Sequence, residues 1–339
     1  MPIFLDACAG ARTPYTPIWL NRQAGRYMPE YGVLKGDTPS LEFFKNPELA
    51  AKATLDAQRI LGVDAAIMFA DLLPVLEPMG LKLDYKPGVG PVFDNPLRDE
   101  RSISGLTVVP AEEGCGYVVE TLGRILADLP KEVALIGFAG APFTLACYAV
   151  EGRSSRNYVH VKRLMYDHEV LWQSLMDKLV DTVANYVQLQ IASGAQAIQL
   201  FDSWVGCLSL ADYERYVAPA TRRLMERIQG KTPIIYFGTG NTHLLDAMYA
   251  TGPDVMALDW RVSLVATWDR FGSRAIQGNL DPIALCGESS GMISQAQTLI
   301  DEVGGRAGHI FNLGHGIVPE TPVDNVKRLV DFVHEQTAR

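Results

Sequence analysis

The segment Val133-Ala-Leu-Ile-Gly137-Phe-Ala-Gly140-Ala-Pro142-Phe-Thr-Leu-Ala-Cys-Tyr148-Ala-Val150 carries no charged side chain over eighteen residues. That length approaches the length of a membrane-spanning helix. Two glycines and Pro142 interrupt the apolar run, however, and Gly140-Ala-Pro-Phe is typical of a turn. The segment therefore predicts a buried strand, a turn and the start of a helix. Apolar strands of this kind, covered on both faces, are typical of parallel α/β sheets.

Seven further runs of the same kind occur along the chain. Each is short and mostly apolar rather than alternating, and each ends in polar or glycine-containing sequence. The eight predicted strands are Ile18–Leu20, Ala65–Phe69, Ala134–Phe138, Ala197–Phe201, Ile234–Phe237, Val255–Leu258, Ala275–Gln277 and His309–Leu313.

Helical patterns separate these strands. In the helix predicted at Pro47–Leu61, Asn46 is a suitable N-cap and Pro47 fits the first turn. The stretch Val170–Ile191 repeats apolar residues every four positions, which predicts one apolar face of a long helix. The other predicted helices are Ala211–Ile228, His243–Ala250, Leu264–Phe271, Gly291–Val303 and Val323–Thr337.

Eight strands alternating with helices predict the α/β class and a single (β/α)8 TIM barrel over residues 1–339. The long excursions 72–131 and 140–194 would then supply additional helices and loops on the barrel rim. The alternative is an open doubly wound sheet. No G-x-G-x-x-G follows an early strand, so nothing in the sequence favours a dinucleotide-binding fold.

Composition narrows the class of partner and the compartment. The net charge is −9, which argues against nucleic acid or an anionic membrane as the main partner, because both need a basic surface. The five cysteines are scattered and form no C-x-x-C pair, so a reduced, cytoplasmic protein fits best. The N-terminus has no basic region before its apolar stretch, so we do not expect a signal peptide there.

A basic loop follows the first predicted strand. Its sequence is Arg22-Gln23-Ala24-Gly25-Arg26, and two arginines at this spacing can receive carboxylates or phosphates. Because the chain is acidic overall, this concentration of positive charge predicts a small polyanionic substrate. Active sites of TIM barrels lie at the carboxyl ends of the strands, where this loop is placed.

Other polar residues follow the ends of four further predicted strands. Alone, each has an ordinary structural interpretation: an aspartate can cap the next helix or pair with a cation, and a histidine can be a satisfied core residue. No pair of histidines has metal-ligand spacing, so we expect no metal site. The candidates are Asp71, Tyr148, Asp202, Ser203 and His315.

Five blocks of the sequence resemble one family. Arg22-Gln-Ala-Gly-Arg-Tyr-Met-Pro-Glu-Tyr31 resembles the first signature of uroporphyrinogen decarboxylases, and Gly137-Phe-Ala-Gly-Ala-Pro-Phe-Thr-Leu-Ala-Cys-Tyr-Ala-Val-Glu-Gly152 resembles the second. Phe69-Ala-Asp71, Phe201-Asp-Ser203 and Asn312-Leu-Gly-His-Gly316 resemble three further blocks in the expected order. The resemblance runs along the whole chain, although Asn21 stands where the family commonly has methionine.

The resemblance implies a fold and a reaction. Members of the family are TIM barrels, usually homodimers, and act without a metal or organic cofactor. They remove carbon dioxide from the four acetate side chains of uroporphyrinogen III, which gives coproporphyrinogen III for heme and porphyrin synthesis. The substrate carries eight carboxylates around four pyrroles, so an arginine loop suits it.

The resemblance also implies roles for residues. Asp71 would face the pyrrole N–H groups, the loop from Arg22 to Arg26 would hold carboxylates, and Arg22 would be a candidate proton donor. His315 is a second candidate donor. The implied catalytic residues are Asp71, Arg22, Tyr148 and His315. The implied substrate-binding residues are Arg22, Gln23, Ala24, Gly25, Arg26, Asp71, Tyr148, Ser203 and His315.

Two alternative functions and one structural question stay open on sequence alone. Related barrels include corrinoid-dependent methyltransferases that bind zinc through histidine and cysteine, and a tetrapyrrole carrier would use the same pocket without turnover. Bound zinc would favour the first, and tight binding without release of carbon dioxide would favour the second. The segment Gly152-Arg-Ser-Ser-Arg156 is either a lid over the substrate or a solvated loop.

Overall fold

The computed structural model describes residues 1–230, 232–272 and 275–339. The strands within these ranges are β1 (Ala65–Ile67), β2 (Leu83–Lys86), β3 (Gly90–Phe93), β4 (Ala134–Gly140), β5 (Ala197–Asp202), β6 (Ile234–Gly238), β7 (Val255–Ala257), β8 (Ala275–Gln277) and β9 (His309–Ile310). The α-helices within them are α1 (Ile3–Cys8), α2 (Pro29–Lys35), α3 (Ser40–Lys45), α4 (Pro47–Leu61), α5 (Glu100–Ser104), α6 (Ala111–Asp128), α7 (Pro142–Glu151), α8 (Val159–Asp167), α9 (Glu169–Ala192), α10 (Leu210–Asp212), α11 (Ala218–Ile228), α12 (Leu245–Tyr249), α13 (Leu264–Phe271), α14 (Ser289–Val303) and α15 (Val323–Thr337).

Seven strands form one parallel sheet in the order β1-β4-β5-β6-β7-β8-β9. The order follows the chain, so each crossover places its helices outside the sheet, as in βαβ units. All residues of β4 and β6 are buried, which explains why these strands are apolar along their whole length. The seven strands predicted from Ala65 onward are confirmed, with ends shifted by up to three residues.

The first predicted strand, Ile18–Leu20, is not a regular strand. Ile18 forms a single parallel bridge with Phe311, whose amide donates to Pro17 O at 2.9 Å. On the other side, the Asp64 amide donates to Ile18 O at 2.9 Å. The segment is so short that it pairs with both edges of the sheet through one residue on each side. The structure therefore has seven parallel strands and a bridging segment instead of eight regular strands.

The Asp64 side chain fastens this segment in place. Its carboxylate accepts hydrogen bonds from the Ile18 amide at 2.8 Å, the Tyr15 hydroxyl at 3.1 Å and His334 Nε2 at 2.9 Å. Only 9% of the Asp64 side chain is exposed, so these three donors replace water around it. One carboxylate thus joins the N-terminal segment, the start of β1 and the C-terminal helix α15.

The predicted helices agree with the structure to different degrees. The bounds of α4, α13 and α15 are as predicted, and Asn46 Oδ1 accepts the amides of Glu48 and Leu49 as the N-cap of α4. The helix predicted at Ala211–Ile228 is divided into α10, a π-helical turn at Tyr213–Val217, and α11. Pro219 has no N–H to bond the carbonyl four residues earlier, which favours the wider turn before it.

The excursions from the sheet contain the expected helices and one unpredicted hairpin. Strands β2 and β3 pair antiparallel around Lys86-Pro-Gly88-Val-Gly90, and both glycines have positive φ angles. The Phe93 amide donates to Gly152 O at 2.8 Å, and Val92 bridges to Arg153. The hairpin therefore holds the start of the 152–156 segment that the sequence left open as a lid or a solvated loop.

The uncharged stretch from Val133 to Val150 is divided between β4 and α7, as its glycines and proline predict. No helix in the described ranges is both long enough and apolar enough to cross a membrane.

Candidate active site

Five predicted site residues lie beyond the carboxyl ends of sheet elements. Arg22 follows the bridging segment, Asp71 follows β1, Tyr148 lies in the helix after β4, Ser203 follows β5 and His315 follows β9. Because the strands are parallel, these ends share one edge of the sheet. Electrostatic coupling of Asp71, Tyr148 and His315 to Arg22 shows that the structure brings these four together.

Asp71 is half-buried at the centre of this group. One carboxylate oxygen accepts the Leu73 amide at 3.0 Å. Burial raises the pKa of Asp71, and this effect exceeds the opposing ones, which are the Leu73 amide, the Tyr85 hydroxyl, the Arg22 guanidinium and the Leu72 amide, in falling order. Asp71 is thus a carboxylate in a poorly hydrated place, where its field acts strongly on a bound ligand.

Arg22 has an unusual backbone conformation, with a φ angle of 61°. This left-handed conformation is costly for a residue with a side chain and persists when neighbours fix it. Gly316 packs directly against the Arg22 side chain, since a Cβ there would collide with Arg22 Cδ, Cγ and Nε. Neither Arg22 nor Arg26 forms an ion pair in the part of the chain that the structure describes. Both guanidinium groups are exposed and open to an anionic ligand.

The other residues of the predicted loop differ in their hydrogen bonding. The Gln23 side chain is 1% exposed; it accepts from the Leu20 amide at 3.2 Å and donates to Ala65 O at 3.1 Å. Its side chain therefore joins the loop to β1. Ala24 and Gly25 are half-buried, and their amides donate no hydrogen bond within the described residues. Such amides can bind a carboxylate.

Tyr148 belongs to α7 and lies near Asp71 and Arg22. Its ring packs against Trp204 with centroids 5.7 Å apart. Burial, and then the charge of Asp71, raise the pKa of Tyr148 to about 12. Tyr148 is therefore protonated at neutral pH and is a hydrogen-bond donor. Ser203 is half-buried beside Trp204, and its carbonyl accepts the Thr239 hydroxyl at 2.7 Å.

His315 is neutral at physiological pH. Burial, and then the charge of Arg22, lower the pKa of His315. Its Nδ1 accepts the Gly316 amide at 2.7 Å, which puts the proton of the neutral ring on Nε2. The centroid of the His315 ring lies 6.1 Å from that of Trp260, and the Arg261 guanidinium lies 3.7 Å from the Trp260 ring centroid.

A chain of buried amides lies under the arginine loop. Trp19 Nε1 donates to Gln277 Oε1 at 2.9 Å, and Gln277 Nε2 donates to Gln199 Oε1 at 3.0 Å. Gln199 Nε2 then donates to Asn21 Oδ1 at 2.9 Å, and the backbone N–H of Asn21 donates to Asn312 Oδ1 at 3.0 Å. The chain fixes Asn21 and so supports the strained backbone of the next residue.

No group of three or more His, Cys, Asp or Glu side chains in the described ranges is placed to hold a metal ion.

Comparison with known proteins identifies the family. The family model described as uroporphyrinogen decarboxylase (URO-D) matches residues 1–336. The chain belongs to the uroporphyrinogen decarboxylase family. A uroporphyrinogen decarboxylase of Solibacter usitatus is 48% identical over 334 residues, which cover 98% of this chain and 96% of that protein. One of Sorangium cellulosum is 48% identical over 333 residues, which cover 98% and 95%.

A solved structure shares the fold at low sequence identity. A methyltransferase from Methanosarcina mazei superposes with a TM-score of 0.82 at 20% identity, covering 98% of this chain and 97% of that one. This similarity shows a common TIM-barrel-like α/β fold. The family assignment rests on the uroporphyrinogen decarboxylases above.

Two loops of this uroporphyrinogen decarboxylase family member are held by Asp202. The residue is fully buried at the end of β5 and accepts the Thr144 hydroxyl and the Tyr236 hydroxyl, each at 2.7 Å. Thr144 Oγ1 in turn accepts the Trp204 amide at 3.2 Å. Asp202 therefore ties the first turn of α7, which carries Tyr148, to the loop that carries Ser203.

Burial raises the pKa of Asp202 from 3.8 to about 6. Between these two pH values the folded chain keeps a proton that the unfolded chain has lost, so the stability contribution of Asp202 falls as pH rises. We expect Asp202→Asn to gain about 2 kcal/mol of unfolding free energy relative to wild type on going from pH 4 to pH 7. Urea unfolding of both proteins at the two pH values measures this, and a pH-independent difference would contradict it.

Sequence analysis of this family member missed several residues near the site. Tyr85, on the unpredicted hairpin, is one; the alternation of apolar and polar residues over Leu83-Asp-Tyr-Lys86 before the Pro87-Gly88 turn is the signal that would have located it. Gln199 lies 178 positions from its partner Asn21, and Gln277 lies 78 positions from its partner Gln199, so no local pattern links these residues.

Proposed function

We propose that this chain removes carbon dioxide from the four acetate side chains of uroporphyrinogen III and so forms coproporphyrinogen III. The observation that carries the proposal is the half-buried Asp71 carboxylate close to Arg22, in a loop whose two arginines, Arg22 and Arg26, form no ion pair within the described residues. One anion for a cationic ring and two cations for peripheral carboxylates match this substrate. The family membership of the chain supports the same reaction.

The chemistry requires an electron sink, which the substrate pyrrole provides. A proton added to the ring carbon beside the acetate gives an iminium-like cation. The bond to the carboxylate then breaks, and its electron pair neutralises the cation as carbon dioxide leaves and an exocyclic methylene forms. A second proton converts the methylene to methyl, and loss of the ring proton restores the pyrrole. One proton is consumed for each carbon dioxide released.

In this reaction Asp71 stabilises the ring cation. Its carboxylate faces the pyrrole N–H groups, and because it is fixed and poorly hydrated it needs no reorganisation when charge develops. Arg22 and Arg26 bind carboxylates through paired N–H donors, with the Ala24 and Gly25 amides beside them. Tyr148, Ser203 and His315 hydrogen-bond the remaining carboxylates.

Proton delivery falls to Arg22 or His315. A guanidinium is a very weak acid. The lowered pKa of His315 makes its imidazolium scarce at neutral pH but more acidic than a free one. We favour His315, or a water that it holds, as the donor.

The first test is anaerobic incubation of the purified protein with uroporphyrinogen III and excess chelator. Stepwise formation of porphyrinogens with seven, six, five and four carboxylates is the expected result. Turnover that appears only with added zinc and a methyl-corrinoid would place the chain among methyltransferases. Tight binding with no carbon dioxide released would make it a carrier. Either outcome would overturn the proposal.

We propose that residues 17–20 complete an eight-stranded barrel within a single catalytic domain spanning residues 1–339. The support is their hydrogen bonding to both edges of the sheet. Amide hydrogen exchange tests this: the Trp19 and Phe311 amides should be as protected as those of β4. Fast exchange at these two amides would argue for an open sheet.

The family resemblance also supports a cytoplasmic homodimer with two-fold symmetry. All five cysteines are free, as a reducing compartment allows. Sedimentation equilibrium measures the assembly, and a monomer at micromolar concentration would contradict the dimer. Cell fractionation tests the compartment.

A further inference from the structure

The β2–β3 hairpin places an aromatic residue beside the proposed catalytic carboxylate. Tyr85 lies on β2 opposite Pro91. Its ring packs edge-on against Phe44 with centroids 5.4 Å apart, and Phe44 packs against Phe69 at 5.9 Å. Phe69 lies two residues before Asp71. The aromatic contacts thus fix the Tyr85 ring relative to the Asp71 loop.

The Tyr85 hydroxyl is buried and unsatisfied. Within the described residues Tyr85 Oη makes no direct hydrogen bond, although it has lost contact with water. A buried polar group without a partner is destabilising relative to one that is hydrogen-bonded, so the presence of this oxygen needs an explanation. An apolar ring would pack against Phe44 equally well, and packing therefore does not explain the oxygen.

The hydroxyl faces the site. It adjoins Asp71 closely enough to lower the pKa of that carboxyl, while burial, and then the negative charge of Asp71, raise the pKa of Tyr85. Tyr85 is therefore a protonated donor near the Asp71 carboxylate, with which it forms no direct hydrogen bond in this structure. Only the Leu73 amide is a direct donor to the Asp71 side chain among the described residues.

We propose that Tyr85 is a positioning residue for the decarboxylation, whose hydroxyl donates to Asp71 when substrate fills the site and holds the carboxylate against the pyrrole N–H groups. This inference rests on the proposed function, because it gives Asp71 the central role. The donor opposes the effect of burial and keeps Asp71 charged. Bound substrate covers the site and excludes water, which favours a direct hydrogen bond between the two side chains.

Tyr85→Phe removes the oxygen and keeps the ring. We expect kcat at neutral pH to fall about tenfold, as for loss of a hydrogen bond to a charged group, with KM changed less than about twofold. The acid limb of the kcat–pH profile moves to higher pH, because Asp71 loses a donor that favours its ionised form. The melting temperature is unchanged or higher, because the variant has lost an unsatisfied polar atom.

The matched control is Tyr166→Phe. The Tyr166 hydroxyl donates to the Asp212 carboxylate at 3.0 Å on the exposed outer surface. This variant should keep the wild-type kcat and pH profile. Wild-type kcat and an unshifted acid limb in Tyr85→Phe would overturn the inference, and so would a lower melting temperature with the pH profile unchanged.

A measurement without substrate separates this inference from the proposed function. The Asp71 carboxyl can be titrated by carbon-13 NMR of aspartate-labelled protein, with its signal assigned by Asp71→Asn. We expect a higher Asp71 pKa in Tyr85→Phe than in wild type, whether or not uroporphyrinogen is the substrate. An unchanged titration would overturn the Tyr85–Asp71 contact even if the decarboxylase assay succeeds.

Discussion

Asp71→Asn is expected to abolish nearly all decarboxylation of uroporphyrinogen III while leaving the fold intact. An asparagine amide has the same shape but no charge to stabilise the cationic pyrrole. Its Oδ1 can still accept the Leu73 amide that Asp71 accepts at 3.0 Å, so the local turn persists. Loss of one preorganised electrostatic group typically costs about 10²–10³ in kcat. Steady-state kinetics and the thermal melting curve of the variant measure the two parts of this prediction.

A matched control for Asp71→Asn is Asp246→Asn. Asp246 lies on α12 and pairs with Arg270 at 2.8 Å at the surface, so the same chemical change there should leave turnover unaffected. If a folded Asp71→Asn protein retained near-normal kcat, the ring cation would need another stabilising group, and the mechanism proposed above would fail.

The ionisation of Asp71 also sets a pH limit on activity. Burial raises its pKa above 3.8, and only the carboxylate stabilises the cation. As pH falls through this raised pKa, the carboxylate gains a proton and kcat falls. Asp71→Asn, which has no charge to lose, should show no such acid limb in its residual activity.

The strands were predictable because both faces of the sheet are covered. The strands of the parallel sheet are mostly apolar and do not alternate regularly with polar residues, and such runs are visible in a single sequence. The prediction of a regular strand was wrong at Ile18–Leu20, where Ile18 forms an isolated bridge with Phe311. The length and apolarity of a run do not show how many of its residues pair with neighbouring strands. That depends on the Asp64 contacts, which join parts of the chain up to 270 positions apart.

The candidate site was also predictable only in part. Arg22, Asp71, Tyr148 and His315 follow recognisable motifs at strand ends, and the structure brings them together. The contacts that hold these residues in place could not be predicted, because Asn21 contacts Gln199 and Gly316 packs against Arg22 only after folding. The sequence indicated the departure at Asn21 from the common family residue but not its hydrogen bonds.

Arg22→Lys is expected to lower kcat/KM about 100-fold although it keeps the positive charge, because lysine cannot form the paired, planar contact of a guanidinium with a carboxylate. The Arg22 backbone at a φ of 61° and the absence of a Cβ at Gly316 fix where this side chain lies. A flexible ammonium would lose that placement. Initial rates with uroporphyrinogen III measure the effect, and Arg59→Lys, at an exposed ion pair on α4, is the matched control.

Gly316→Ala tests the placement of Arg22 without changing its charge. The added methyl group occupies the space of Arg22 Cδ and Cγ, so the guanidinium must move. If position matters, Gly316→Ala and Arg22→Lys lose kcat/KM by similar factors, and combining them costs less than the sum of the two losses in free energy. If Arg22 acts only as a positive charge that attracts the polyanion, both variants keep near-normal efficiency at low salt. Efficiency then falls steeply as ionic strength rises, because screening weakens attraction at a distance far more than a direct bidentate contact.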